Sequence, residues 1–201
     1  MRYEKGHKEA TRNRIVETAA ARFRRDGIDG VGVADVMGEA GLTHGGFYSH
    51  FSSKEELVRA AVELSAERGC AKFRKRVADV GLEGWIRHYL RPAHRDHPER
   101  GCMVAALGSE LARHPAGTRS IFEQKEGTVM GELIKQLPGT IPSARRRQVA
   151  VGVFAAMVGA LQLARLTRDE TASTEILEAG IAAALALAGL RPSAKAKARS
   201  S

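Results

Sequence analysis

Residues 30–57 read GVGVADVMGEAGLTHGGFYSHFSSKEEL, and this stretch decides the fold. Apolar side chains recur every three or four residues over 33–40, which is the spacing of a helix with one buried face. Gly41 follows, and a residue without a β-carbon readily takes the left-handed conformation in which many helices end. The next short helix holds Phe47 and Phe51, four residues apart on one face. Two short helices joined by a glycine-containing turn predict a helix-turn-helix, whose second helix has the size that enters the DNA major groove.

Polar side chains mark the starts of the helices in this stretch. The Thr43 hydroxyl is placed to N-cap the second helix. Ser53, with Glu56 three residues later, is the capping-box pattern that opens a third helix. Leu42 is expected to pack into the corner between the first two helices.

The run GLTHGGFYSHF at 41–51, followed by SKEEL at 53–57, resembles the DNA-binding domain of the TetR family of bacterial transcriptional regulators. The resemblance covers about a quarter of the chain. The family usually has Ser or Thr at position 32 and often Thr, Ser or Ala at position 46, whereas this chain has Gly32 and Gly46. Glycine still caps a helix with a small loss, but a phosphate contact at Gly32 then comes only from the backbone.

The resemblance implies a set of DNA-contacting residues. Tyr48, His50 and Lys54 match family positions that contact the DNA backbone. Thr43 at the helix start brings backbone amides toward a phosphate. His44 is best placed for a base edge, although a solvent-facing histidine fits the pattern equally well. The complete expected set is Gly32, Val33, Thr43, His44, Gly45, Gly46, Tyr48, His50 and Lys54.

Charge and cysteine content restrict the remaining choices. The chain has 32 Lys and Arg against 23 Asp and Glu, a net charge of +9 that favours anionic partners. Residues 1–57 carry nine basic and nine acidic side chains, so DNA binding there depends on placement of charge. Two cysteines make no disulfide framework. The polar N-terminus and interrupted apolar runs predict no signal peptide, no membrane span and a cytoplasmic protein.

Helical periodicity continues along the chain without a strand pattern or internal repeat, so we expect an all-α fold of about nine helices. The predicted domains are a DNA-binding head with a basic N-terminal arm at 1–53 and a ligand-binding and dimerisation body at 54–190. A basic tail at 191–201 is expected to be disordered, as are residues 1–8 unless that arm meets DNA. A long helix from 54 to 80, broken at Gly81, would join head and body.

The last two predicted helices, at 143–167 and 174–190, are unusually apolar. Gly152 and Gly159, one heptad apart, would allow another helix to approach closely. The interior of a monomer could hold two such helices, but their breadth favours a two-fold four-helix interface. The TetR resemblance implies the same homodimer.

The resemblance also implies a small-molecule cavity in the body, occupied by an effector whose identity the sequence does not reveal. The alternative is that its candidate residues simply pack the core. No cofactor, metal or catalytic site is predicted, because the histidines around HRDH at 94–97 match no ligand motif and no nucleophile elbow is present. The expected cavity residues are Trp85, Tyr89, Cys102, Met103, Leu107, Phe122, Met157 and Leu161.

Cys102 supports an alternative form of regulation. It follows Gly101 at a helix start, where unpaired amides and the helix dipole favour a thiolate. This Gly-Cys start resembles a subgroup of TetR-like regulators, including the repressor of N-ethylmaleimide reductase, in which a cysteine senses electrophiles or oxidants. A small buried residue that packs the helix start is the simpler interpretation.

These features together predict a dimeric, sequence-specific regulator of transcription. We expect a repressor that a small molecule releases from a palindromic DNA operator, with a redox-sensing repressor acting through Cys102 as the alternative. A helical enzyme or a nonspecific DNA-binding module is the second alternative. Binding to a palindromic duplex separates these classes.

Overall fold

The computed structural model describes residues 2–191, and their side chains except those of residues 2–5, 122, 125 and 126. This part of the chain is all-α, as predicted, with eight α-helices and two 3-10 helices. The α-helices are α1 (Arg2–Asp26), α2 (Val33–Glu39), α3 (Lys54–Tyr89), α4 (Pro92–Asp96), α5 (Met103–Leu111), α6 (Ala116–Gln136), α7 (Ser143–Leu166) and α8 (Glu170–Leu187). The 3-10 helices are His44–Ser49 and Pro98–Arg100.

Several helix limits differ from the sequence-based prediction. Helix α1 begins at Arg2, so the arm expected to be disordered is helical there; its Glu and Lys residues are good helix formers. Helix α8 begins at Glu170 rather than near 174, because the Asp169 carboxylate accepts a 2.7 Å hydrogen bond from the Ala172 amide. Helix α4 and the second 3-10 helix lie between α3 and α5. Residues 192–201, expected to form a disordered tail, lie outside the described residues.

Helix α3 is interrupted where the sequence predicts a break. Gly81 has φ 70° and ψ −179°, a backbone conformation that residues with a β-carbon rarely adopt. The remaining residues of α3 are helical on both sides of this position. The glycine therefore divides α3 into a long helical stretch and a short one.

The described chain divides into two compact units. The first unit contains residues 2–69 together with 97–126, and the second contains 70–96 together with 127–191. Residues 97–126, which the sequence assigns to the body, thus pack with the predicted head. The domain limits at 53 and 190 remain a prediction.

The core of the first unit combines the predicted head with α5. Phe23, Phe47 and Phe51 are almost completely buried in it. Helix α5 contributes apolar side chains to the same cluster, namely Met103, Leu107 and Leu111. Burial of large apolar side chains is the main source of stability in such a core, at about 1.5–3 kcal/mol each.

In the second unit, α7 packs closely against α8. Their buried side chains include Val153 and Met157 on α7 and Leu177 and Leu185 on α8. Arg95 on α4 donates a 2.9 Å hydrogen bond from Nη1 to the Ser173 hydroxyl. This polar contact joins α4 to α8 alongside the apolar packing.

The sequence predicts no membrane span, and α7 alone among the described helices has the length and composition of one. The most apolar 18 consecutive residues of α7 have a mean hydropathy of 1.8, because their Ala, Val and Leu residues outweigh the Gly, Gln and Arg residues between them. A core helix passes the same test, so this property is weak evidence for a membrane span. Only 33% of these 18 residues are buried within this chain.

Candidate nucleic-acid interface and effector region

The first helix of the helix-turn-helix starts without the hydroxyl cap found in the resembled family. Gly32 occupies the N-cap position, and its amide donates a 2.9 Å hydrogen bond to Oδ2 of Asp35. The side chain of Asp35 also places negative charge in the first turn of α2, where the helix dipole favours it. Asp35 therefore supplies part of the capping that Gly32 lacks.

The turn after α2 agrees with the prediction. Gly41 has φ 69°, the left-handed conformation expected from the sequence. The Leu42 amide donates a 2.9 Å hydrogen bond back to the Met37 carbonyl. Leu42 itself packs against the core of the first unit. The turn thus fixes the direction of the segment that follows.

The predicted recognition helix is a six-residue 3-10 helix, His44–Ser49. Thr43 is its N-cap residue, but its side chain makes no capping hydrogen bond, so the predicted hydroxyl cap is wrong. The Ser49 hydroxyl instead donates to the Gly46 carbonyl at 2.7 Å. Phe47 and Phe51 are buried and stacked, with ring centroids 5.6 Å apart. The stacked rings attach this short helix to the core.

Side chains on the other side of the 3-10 helix face solvent. Tyr48 is 67% exposed, although its ring packs edge-on against Phe47 with centroids 5.3 Å apart. The exposed His44 ring lies 6.2 Å from the Tyr48 ring. Gly45 has open space where a β-carbon would stand. This side of the 3-10 helix is therefore open to solvent.

His50 differs from Tyr48 because it is half-buried. Its Nδ1 is buried and has no hydrogen-bond partner within the described structure. Burial lowers the pKa of His50 below 6.5, and the positive charges of Lys8 and Arg12 lower it further. The guanidinium of Arg12 also lies 4.7 Å above the Phe51 ring centroid. Sequence analysis missed Lys8 and Arg12 as neighbours of this site, since only the extended α1 brings them there.

The start of α3 carries the last predicted DNA contact, Lys54, which is half-buried. The Ser53 hydroxyl accepts a 3.2 Å hydrogen bond from the Glu56 amide, as a capping box requires. The Glu56 carboxylate, however, accepts from the amide of Ser52 at 2.7 Å and from its hydroxyl at 2.8 Å. Half of the predicted box is therefore present at Ser53, whereas the reciprocal hydrogen bonds of Glu56 are with Ser52. Gly32 is exposed, whereas Val33 packs against the core.

Comparison with known proteins agrees with this geometry. Residues 15–61 match the family model for bacterial regulatory proteins of the tetR family. The HTH-type transcriptional regulator YfiR of Bacillus subtilis is 34% identical over 86 residues, which cover 43% of this chain and 42% of that one. By the match to the family model, residues 15–61 form a DNA-binding domain of the TetR family of bacterial transcriptional regulators. An uncharacterized HTH-type regulator of Mycobacterium tuberculosis is 27% identical over 80% of this chain and 87% of its own.

Solved structures share the fold along most of the TetR-family chain. A TetR-family regulator from Cytophaga hutchinsonii aligns with a TM-score of 0.73 and 19% identity, covering 93% of this chain and 98% of that one. The reduced form of NemR from E. coli aligns with a TM-score of 0.66 and 21% identity, covering 87% and 95%. Such identities show the fold alone. The resemblance to the cysteine-bearing subgroup remains a prediction.

The residues predicted to line an effector cavity are divided between the two units of this TetR-family protein. Met103 and Leu107 are buried in the core of the first unit, and Cys102 is half-buried beside them in sequence. The second unit holds four others, all largely or fully buried: Trp85, Tyr89, Met157 and Leu161. The Phe122 side chain lies outside the described part. Their role in ligand binding remains a prediction.

Aromatic rings in the second unit form a connected group around Trp85. Its ring meets Phe73 edge-on, with centroids 4.6 Å apart, and Tyr89 at 5.8 Å. Tyr89 in turn faces His94 at 4.6 Å and Phe154 at 6.5 Å. Sequence analysis did not include Phe73, His94 or Phe154 in this region. These rings therefore pack against one another in the second unit.

A surface hollow of about 390 Å³ lies elsewhere in the second unit, and none of the predicted cavity residues lines it. Its walls include Arg95, Arg165 and Arg168, with Asp96 and Glu170 of opposite charge. Arg95 is bound to Asp96, with Nε 2.7 Å from Oδ1. The hollow is thus polar, in contrast to the apolar cavity implied by the family.

Among the described residues, no group of three or more His, Cys, Asp or Glu side chains is arranged to hold a metal ion. His94 is buried, and its Nδ1 lies 2.6 Å from the Tyr89 carbonyl oxygen. Because a carbonyl only accepts, Nδ1 carries a hydrogen and donates it. Burial lowers the pKa of His94 to about 4, so the ring is neutral near pH 7. His94 therefore acts as a neutral hydrogen-bond donor in the core.

Cys102 occupies the N-cap position of α5, as the sequence suggested. Arg24 lies near enough to Cys102 for the two groups to interact electrostatically. Burial lowers the pKa of Arg24 and Arg68 lowers it further, whereas Cys102 and Glu99 raise it. The Arg24 guanidinium also donates from Nε to the Glu99 carbonyl at 2.9 Å and from Nη1 to the Ser65 hydroxyl at 2.6 Å. Arg24, which is half-buried, thus links the end of α1 to residues 65 and 99 close to the thiol.

Proposed function

We propose that this TetR-family regulator is a repressor that binds a palindromic DNA operator as a homodimer and leaves it when a small molecule binds. One observation carries the DNA-binding part. The segment 44–51, which contains the 3-10 helix, buries Phe47 and Phe51 and exposes Tyr48 and His44. A surface with aromatic and imidazole groups on a rigid support suits contacts with phosphates and base edges.

The apolar faces of α7 and α8 support the homodimer. Large apolar side chains on these helices are solvent-exposed in the single chain, at 44% for Val151, 58% for Leu163, 79% for Leu166 and 48% for Leu187. Exposed apolar surface of this kind marks an association site in many proteins. A second copy related by a two-fold axis would cover the same surface on both chains. Two paired heads would then read two half-sites.

The aromatic group around Trp85 supports an effector that is small, planar and apolar. Such a ligand would change the population of DNA-binding conformations by binding one of them more tightly. Trp85 is the only tryptophan in the chain, so its emission reports on this group alone. We expect a compound that releases DNA to change that emission with the same concentration dependence.

Selection of bound fragments from genomic DNA tests the main proposal. We expect recovered fragments to share an inverted repeat, and the genes beside it to indicate the class of effector. The purified protein should bind that repeat as a dimer far more tightly than a scrambled duplex of equal length. Equal affinity for both duplexes would show that the protein binds DNA without sequence specificity, which contradicts the proposal.

A second candidate function, repression controlled by electrophiles or oxidants, is favoured by the position of Cys102, which is half-buried at the N-cap of α5 and lies near Arg24. The thiolate is the form of cysteine that reacts with electrophiles. Arg24 simultaneously holds the Glu99 carbonyl and the Ser65 hydroxyl. Chemical modification of Cys102 would therefore disturb a hydrogen-bonded link within the same unit as the head.

A further inference from the structure

One acidic side chain outside the helix-turn-helix holds the turn that leads into it. The Oε2 atom of Glu110, near the end of α5, accepts hydrogen bonds from the amides of Ile28 at 2.7 Å and Asp29 at 3.3 Å. These amides lie between the end of α1 and the start of α2. The carboxylate is 81 and 82 residues away from them in sequence, so the contact exists only in the folded chain.

The packing around this contact leaves little room for adjustment. Gly27 has φ 81°, and a β-carbon at that position would lie 3.1 Å from Oε1 of Glu110. Ile28 is 1% exposed. On the next turn of α5, Leu107 is buried in the core shared with the head, and so is the adjacent Leu111. The carboxylate is therefore carried by a helix that is itself anchored in that core.

A second polar contact from the neighbouring part of the chain holds the start of α3. His114 Nδ1 lies 3.0 Å from Oε2 of Glu55, and the buried Thr118 hydroxyl donates to Oε1 of the same carboxylate. Glu55 follows the predicted DNA contact Lys54. Residues 110–118 thus hold both the turn before α2 and the first turn of α3, which are the two flanks of the helix-turn-helix.

We propose that Glu110 is a positioning residue for DNA binding, acting through the amides of Ile28 and Asp29. This inference rests on the proposed function. The carboxylate fixes α2 relative to α3, and the 3-10 helix between them depends on that spacing. Loss of the two charge-assisted hydrogen bonds from the Ile28 and Asp29 amides leaves the turn free to move. Ordering this turn would then cost conformational entropy each time the head binds DNA.

Two variants and one control test this role at 25 °C, with circular dichroism used to establish that each is folded. Glu110→Ala removes both hydrogen bonds, whereas Glu110→Gln keeps an oxygen that can accept both of them but removes the negative charge. Glu63→Ala removes an exposed carboxylate from α3 in the same unit. The DNA probe is the inverted repeat recovered from genomic selection.

We expect Glu110→Ala to weaken operator binding by about tenfold, Glu110→Gln to weaken it less, and Glu63→Ala to leave it unchanged. Amide exchange should accelerate at Ile28 and Asp29 in Glu110→Ala. The dependence of affinity on salt should stay at the parent value, because the phosphate contacts themselves are retained. A purely structural role would lower the melting temperature without changing the affinity of the folded protein.

Parent-like operator affinity in folded Glu110→Ala would overturn the inference. If Glu110→Ala does not fold, Glu110→Gln decides the matter, since weaker binding without faster exchange at Ile28 and Asp29 would also overturn it. Failure of the parent protein to select any DNA sequence would instead contradict the proposed function. The two failures are therefore distinguishable.

Discussion

Gly180 of α8 and Ala160 of α7 lie so close together that a β-carbon on Gly180 would overlap the β-carbon of Ala160. The same added atom would lie 3.2 Å from Leu90 Cδ1. The sequence predicts that Gly152 and Gly159 allow another helix to approach closely, without specifying that helix. Within this chain, α7 and α8 are in close contact at Gly180, because this glycine and Ala160 occupy the buried faces that meet.

We predict that Gly180→Ala destabilises the folded chain by about 1–3 kcal/mol, the usual cost of overpacking a core. Gly152→Ala is the matched control, since its β-carbon would meet Leu187 at an ordinary 3.8 Å. Alanine in an open helical position should stabilise by about 0.5–1 kcal/mol. Urea unfolding of the three proteins measures both effects. Equal stability of the two variants would show that α7 and α8 separate easily at Gly180.

The proposed homodimer implies that a larger residue at Gly159 affects association rather than folding. A β-carbon at this position meets no atom within 4 Å in the single chain. Gly159→Leu should leave the protomer folded but weaken a dimer interface that includes this face by about 1–3 kcal/mol. Gly131→Leu on α6, also in open space, is the control. Sedimentation at several protein concentrations measures the dimer affinity. A parent protein that stays monomeric with and without DNA contradicts the interface and the palindrome together.

Variants in the helix-turn-helix should separate affinity from sequence preference. We expect Tyr48→Ala and Lys54→Ala to weaken binding to all duplexes similarly, and Lys54→Ala to lower the slope of log affinity against log salt by about 1. His44→Ala should change the order of preference among duplexes, since a base-edge contact carries sequence information. Binding titrations with the operator and single-base variants provide the measurement. Parent-like affinity of Tyr48→Ala would remove Tyr48 from the interface.

His94 predicts how stability depends on pH. Its pKa is about 4 in the folded chain against an ordinary 6.5, so between these values the unfolded chain binds more protons. Stability from this group is therefore present above pH 6.5 and is lost as pH falls toward 4, by about 3 kcal/mol in total. His94→Gln keeps a donor but does not titrate. The pH dependence of unfolding should be shallower in this variant over that window, and an identical dependence would contradict a buried neutral His94.

Cys102 allows a direct test of chemical sensing. If it is the sensor, a quinone that adds to its thiolate should release DNA from the parent protein. Cys102→Ser should not respond, whereas Cys70→Ser, which replaces the buried cysteine, should respond normally. Operator binding before and after treatment is the measurement. A normal response in Cys102→Ser would leave only non-covalent release by an effector.

The sequence by itself determined the local elements of this protein. Gly41, the spacing of Phe47 and Phe51, and the break at Gly81 each depend on near neighbours in the chain, so their patterns are readable without coordinates. The residues at 41–57 that resemble the TetR family are also near neighbours in the chain, so this resemblance is readable from the sequence as well. The hydrogen bonds at helix starts were less predictable. The Asp35 carboxylate accepts from the Gly32 amide, and the Glu56 carboxylate accepts from the Ser52 amide rather than from that of Ser53.

Only the tertiary structure decided which distant residues meet. It placed Glu110 against Ile28, Arg24 beside Cys102, and Gly180 against Ala160. It also placed α5 in the core of the head, although the sequence assigned that helix to the body. Periodicity shows that a helix face is buried but not which partner covers it. That choice depends on the packing of side chains far apart in sequence, which no local pattern contains.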